Sequence, residues 1–84
     1  MSSFYITFRS VTYAQRGEAA LRSAGIPCTL QRATRFMEEK GCGYSLGLGK
    51  QEIRQGLEVL RARQIPYRRV YEKRSGGEME EVQL

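Results

Sequence analysis

The 84-residue sequence predicts a single α+β domain with the ferredoxin-like fold, a β-α-β-β-α-β unit whose four-stranded antiparallel sheet has both helices on one face. Three observations support this prediction. Short segments of alternating apolar residues take turns along the chain with longer segments of helical periodicity. The dipeptide Ile-Pro follows each predicted helix, and the chain length allows one modest core. We assign residues 1–74 to this domain and expect 75–84 to be a flexible acidic tail.

The first half of the chain predicts a strand, a helix and a second strand. Aromatic and β-branched residues alternate over Phe4–Phe8, which is typical of a strand. Thr12 and Gln15 have the spacing of a capping box, which predicts the start of a helix, and Gly25 is placed to end it. A second strand is expected over residues 26–30. The buried stripe of the helix is predicted to be Tyr13, Gly17, Ala20, Leu21 and Ala24.

The second half repeats this pattern after a polar, basic connection at residues 31–41. The third strand is predicted at Gly43–Gly49 and the second helix at Gln51–Gln64, with Ile-Pro ending that helix. The last strand is predicted at Tyr67–Glu72. The buried stripe of the second helix is predicted to be Ile53, Leu57 and Leu60. The sheet face without helices is predicted to be lined by Tyr5, Thr7, Tyr67 and Tyr71.

The composition argues against several kinds of catalytic site. The chain has no His, Asp, Asn or Trp, so it cannot assemble a Ser–His–acid or Cys–His arrangement by itself. Two cysteines and glutamates are a poor set of zinc ligands. A phosphate-binding loop is also missing, since Lys50 is followed by Gln51. We therefore expect no metal, no cofactor and no stand-alone enzyme.

The charge distribution favours anionic partners. Residues 1–74 have fourteen basic and six acidic side chains, a net charge of +8, whereas the last ten residues have three glutamates. Neither a signal peptide nor a stretch long enough to span a membrane is visible. We therefore expect a soluble, cytoplasmic protein whose cysteines are thiols.

Cys42 is the candidate reactive group. It lies between Gly41 and Gly43, with Lys40 and Arg35 nearby in the sequence. Positive charge and backbone N–H groups both favour the thiolate, and the glycines leave room for close approach by a second protein. The alternative interpretation is a small buried residue at the start of a strand.

Two further residues have competing interpretations. Cys28 is predicted to lie on the apolar side of the second strand as a core residue, with a resolving-thiol role only if that strand brings it near Cys42. Arg32, together with Arg35, could hold an anion or the acidic surface of a partner. The alternative is that both arginines are solvated loop charges.

An alternative function is a noncatalytic module that binds RNA or an acidic protein through the open sheet face. The start of the third strand partly matches the RNP1 pattern of RNA-recognition domains. However, Cys42, Ser45 and Gly47 replace residues of that pattern, and two of the replaced residues are rings that would stack on bases. Only Tyr44 and Tyr5 remain, so RNA is the less favoured partner.

The chain resembles the DUF3343 family of selenium/sulfur carrier-like proteins. The residues that carry the resemblance are YITFRSVTYA at 5–14, GIPCTL at 25–30, Arg35, Cys42-Gly43 with Leu46, and IPYRRVYE at 65–72. The chain departs from the family pattern in two places, where Ala-Thr precedes Arg35 and where Glu-Glu-Lys replaces small polar residues at 38–40. Both departures lie in the segment that would present the thiol.

The resemblance implies a carrier protein. Cys42 matches the Cys-Gly of the family and would accept sulfur or selenium as a persulfide or perselenide. The donor would be a cysteine desulfurase or a selenium donor, and the atom would pass to an acceptor protein. A homodimer formed through the open sheet face or an edge strand would also suit the predicted fold.

Overall fold

The computed structural model describes residues 3–33 and 43–84. They form an α+β fold with two helices and one five-stranded antiparallel sheet, in the order β2-β3-β1-β4-β5. The prediction of four strands is therefore wrong by one, because a fifth strand lies within residues 75–84. The elements are β1 (Ser3–Thr7), α1 (Val11–Ser23), β2 (Thr29–Arg32), β3 (Tyr44–Gly49), α2 (Ile53–Ala62), β4 (Val70–Lys73) and β5 (Met79–Val82).

The helices connect strands that run in the same direction. β3 is antiparallel to both β1 and β2, so β1 and β2 are parallel to each other and α1 crosses between them. In the same way β1 is antiparallel to both β3 and β4, and α2 crosses between these two. The two helices contact each other and both contact β3, so they lie on the same face of the sheet.

The core lies between this face and the helices, and it confirms most of the predicted apolar patterns. Phe4, Ile6 and Phe8 are buried, as their alternation predicts. The stripe of α2 is also buried, with every member at most 3% exposed. In α1 the buried residues are Ala14, Gly17, Ala20 and Leu21.

The start of α1 differs from the prediction. The helix begins at Val11, and the side chain of Ser10 caps it by accepting a hydrogen bond from the backbone N of Tyr13 at 3.2 Å. The N-cap is thus Ser10 and not Thr12. At the other end Ala24 is the exposed C-cap, so it does not belong to the buried stripe. Gly25 follows with φ +77°, the left-handed conformation that favours glycine after a helix.

Neither described helix lies on the second face of the sheet, yet part of that face is buried. Thr7 is 5% exposed and Tyr71 is 2% exposed, whereas Tyr5 and Tyr67 are half-buried. The Thr7 hydroxyl accepts a hydrogen bond from the Arg69 backbone N at 3.2 Å. Only part of the predicted open face is therefore accessible.

β5 forms a hairpin with β4. Gly77 has φ +89° in the turn, and its N–H donates to the Arg74 carbonyl at 2.8 Å. Two ion pairs hold the strand, Arg74–Glu80 at 3.0 Å and Arg69–Glu81 at 3.5 Å. These contacts attach the acidic C-terminal residues to the edge of the sheet.

Neither helix within residues 3–33 and 43–84 combines the length and apolar character that a membrane crossing requires.

Candidate functional site

Two of the six predicted site residues lie within the described ranges. Gly43 immediately precedes β3, and Arg32 is the last residue of β2. The other four predictions lie outside the described residues: Arg35, Lys40, Gly41 and Cys42.

Gly43 has a conformation that requires glycine. Its φ is +80°, a region that a Cβ makes costly. Its carbonyl accepts a hydrogen bond from the Ala33 N–H at 2.8 Å, which extends the β2–β3 ladder by one step. The neighbouring pair of this ladder is Arg32 and Tyr44. The guanidinium carbon of Arg32 lies 5.7 Å from the centroid of the Tyr44 ring.

The pairing of β1 brings Gly43 to the same end of the sheet as several arginines. Thr7 opposes Ser45 on β3, so Arg9, two residues after Thr7, extends towards the level of Gly43. On the β4 side of β1, the Thr7 carbonyl accepts a hydrogen bond from the Arg68 N–H at 2.8 Å. The residue after β1 and the residues before β3 and β4 therefore meet at one end.

A basic cleft of about 440 Å³ is formed at this end. We call it the arginine cleft, and its described lining residues are Arg9, Tyr13, Pro66, Tyr67, Arg68 and Arg69. No carboxylate is among these described lining residues. α1 begins beside the cleft, and the first turn of that helix has no acidic side chain to offset its positive end.

Cys28 occupies a different environment, which confirms its assignment to the core. It is 9% exposed, and its Sγ lies 4.0 Å from the Glu18 carbonyl oxygen. Burial raises the pKa of its thiol, and the nearby Arg22 guanidinium offsets only part of this effect. The thiol is therefore kept protonated at neutral pH.

Cys28 also lies far along the sheet from Gly43. It precedes Thr29, which pairs with Gly47 on β3. Gly47 is four residues from Gly43, or about 14 Å at the rise of an antiparallel strand. A resolving-thiol role for Cys28 therefore receives no support from its position.

A second cleft, at the end of the sheet where Cys28 lies, has a volume of about 360 Å³. We call it the glycine cleft, because Gly47 leaves space on the strand between Tyr5 and Gln31, and the Glu52 carboxylate lies against Gly49. Its described lining residues are Ser3, Tyr5, Pro27, Cys28, Thr29, Gln31, Gly47, Leu48, Gly49 and Glu52.

Sequence reasoning missed the arginines of the arginine cleft as site residues. Arg9 is far from Arg68 and Arg69 in the chain, and only the strand register brings them to one end. Only Arg9 had a positional signal, since it directly follows the predicted strand Phe4–Phe8. Arg68 and Arg69 lie inside the predicted strand Tyr67–Glu72, and only the structure places them before β4.

The comparison with protein families adds a direct finding. A family model described as "Putative Se/S carrier protein-like", the DUF3343 family, matches residues 3–72. The chain belongs to this family. The match covers β1 to α2 and most of β4, and it ends before β5, so the fifth strand lies outside the matched region. No curated protein and no solved structure matches the chain.

Proposed function

We propose that this Se/S carrier-like protein carries a sulfur or selenium atom on Cys42 and passes it to a partner protein. The observation that carries the proposal is the family match, which spans residues 3–72 and so includes Cys42. The arginine cleft supports it, because the residue that follows Cys42 in the chain lies at the same end of the sheet. A persulfide is an anion, and Arg35 and Lys40 would add positive charge from neighbouring positions in the sequence.

The proposed transfer is an exchange between sulfur atoms without net oxidation. The Cys42 thiolate attacks the outer sulfur of a persulfide on a cysteine desulfurase. A new S–S bond forms on Cys42 as the S–S bond of the donor breaks, and the donor cysteine leaves as a thiolate. An acceptor thiolate then attacks the outer sulfur on Cys42 and releases the Cys42 thiolate. Transfer of selenium from a perselenide on a selenium donor would follow the same steps, with one S–Se bond formed and one S–Se bond broken.

Cys28 is not assigned the carrier role. Its burial and raised thiol pKa both reduce the thiolate population that such an attack requires. The two cysteines therefore make a matched pair of variants, since each removes one thiol from the same chain.

We further assign β1 to β4 to the ferredoxin-like fold, with β5 as an added edge strand. The order β2-β3-β1-β4 and the two helical crossovers support this assignment. The protein would act in the cytoplasm, where donor and acceptor thiols stay reduced.

The experiment is intact and peptide mass spectrometry after incubation with a cysteine desulfurase and cysteine. We expect a reductant-labile gain of sulfur on Cys42 in the wild type and in Cys28→Ser, and no gain in Cys42→Ser. Gly41 and Gly43 would allow the approach of the donor, so a bulky residue at position 41 should slow the loading.

Equal loading of Cys42→Ser and the wild type would overturn the carrier proposal. In that case the alternative of an RNA-binding or acidic-partner-binding module gains weight, and salt-dependent RNA affinity that survives Cys42→Ser would support it. Among the described residues, the burial of Tyr71, which is 2% exposed, leaves less aromatic surface on the open face for such a partner.

A further inference from the structure

We propose that the arginine cleft is a binding site for a tetrahedral oxyanion, either inorganic phosphate or the phosphate group of a small ester. The inference goes beyond the carrier function, since no thiol takes part in it. It is carried by the combination of a cleft of about 440 Å³ with three arginines in its lining. Guanidinium groups recognise phosphate oxygens through paired, charge-assisted hydrogen bonds.

Most of the charge in this cleft is not neutralised by the described part of the chain. Arg9 and Arg68 make no ion pair among the described residues, and no carboxylate is found in the described lining. Arg69 is different, because Glu81 lies 3.5 Å from it. We therefore assign the oxyanion chiefly to Arg9 and Arg68.

The exposure of the two arginines suits a ligand from solution. Arg9 is exposed and Arg68 is half-buried, so both can be reached without opening the core. The half-buried position of Arg68 strengthens its electrostatic interactions relative to those of a fully solvated charge. An oxyanion from solution can therefore reach both arginines, and the half-buried Arg68 would bind it more strongly than a fully solvated arginine would.

The cleft is larger than a free phosphate ion requires. Tyr13 and Tyr67 contribute aromatic rings to its lining, and Pro66 lies between the arginines and α2 in the sequence. An organic group attached to the phosphate could pack against these rings. Inorganic phosphate and phenyl phosphate therefore distinguish the two sources of the oxyanion.

The test is isothermal titration calorimetry of the full chain with each probe at constant ionic strength, with chloride as the reference. We expect saturable one-to-one binding of phosphate or phenyl phosphate. Tighter binding of phenyl phosphate would identify an ester as the ligand. The variant Arg9→Gln/Arg68→Gln should raise the dissociation constant by at least about tenfold.

The matched control is Arg54→Gln/Arg63→Gln, which removes the same charge from exposed positions at α2. It should bind like the wild type, and so should Cys42→Ser. Because Arg9 is exposed, Arg9→Gln alone gives a second test that does not disturb the core. Absence of saturable binding, or equal losses in the two double variants, would overturn the proposal.

Discussion

The two ends of the sheet differ in their chemistry, although the same strands build both. The arginine cleft has three arginines and no carboxylate in its described lining. The glycine cleft, at the opposite end, has Glu52 as the one charged side chain in its described lining. The two clefts therefore differ in the charge of their described linings.

This difference also separates the two cysteines of the chain. Cys28 lies in the lining of the glycine cleft, where its thiol is buried and its pKa is raised. The residue after Cys42 lies at the arginine end, where positive charge would favour an anion. One of the two thiols of the chain therefore lies in an environment that suppresses its ionisation.

The largest expected effect concerns the reactivity of Cys28. In Cys42→Ser, alkylation of the native protein at neutral pH should be at least about tenfold slower than alkylation of the same protein in denaturant. Burial limits both the access of the reagent and the thiolate population. Equal rates in the two conditions would show that the glycine end does not protect its thiol.

The raised pKa of Cys28 has a consequence for stability at alkaline pH. The folded state binds the Cys28 proton more tightly than the unfolded state does. The stability gained in this way is fully present below the pKa of the unfolded thiol, about 8.5. It is lost as pH rises through the folded value. The unfolding free energy of the wild type should therefore fall relative to that of Cys28→Ala as pH increases beyond this range. A constant difference between the two proteins would contradict the raised pKa.

An intermediate effect is expected from alanine substitutions at two glycines, Gly43 just before β3 and Gly47 within it. Gly43→Ala should lower the free energy of unfolding by about 1–2 kcal/mol, because φ +80° is strained for a residue with a Cβ. Gly47→Ala is the matched control at the glycine end, where a Cβ would meet the Tyr5 ring at 3.4 Å. Urea denaturation of both variants measures the difference. A larger loss in Gly47→Ala would reverse the order expected here.

The smallest expected effect concerns the carboxylate that contacts the arginine end from β5. Glu81→Gln should tighten phosphate binding by about twofold, since the Arg69–Glu81 pair is largely exposed and such pairs are weak. Glu58→Gln, on the exposed face of α2, is the control with the same change of charge. If calorimetry gives the same affinity for both variants, Glu81 does not compete with the oxyanion.

Local patterns predicted the elements whose residues alternate between core and solvent. The apolar stripe of α2 and the alternation of Phe4, Ile6 and Phe8 were sufficient to place these segments. The start of α1 was misplaced because two hydroxyl residues, Ser10 and Thr12, both suit a helix N-cap. The structure selects Ser10, whose hydroxyl accepts a hydrogen bond from the Tyr13 backbone N at 3.2 Å.

β5 and the arginine cleft could not be predicted in this way, because both depend on contacts between distant residues. The sequence around Met79 has no apolar alternation, and the strand is held by pairing with β4 and by the ion pairs of Glu80 and Glu81. Likewise, Arg9 and Arg68 are 59 positions apart in the sequence and meet only through strand register. The predictions at Cys42 and its neighbours stay predictions.

β5 also affects how the protein should behave in concentrated solution. Without it the edge of the sheet would be β4, whose Val70 and Tyr71 suit pairing with another chain. With it the edge is β5, whose Glu80 and Glu81 are paired with Arg74 and Arg69. As pH falls towards about 4, glutamates take up protons and these two ion pairs are lost. Mild acid should therefore loosen β5 and uncover β4 as an edge that can pair with another chain.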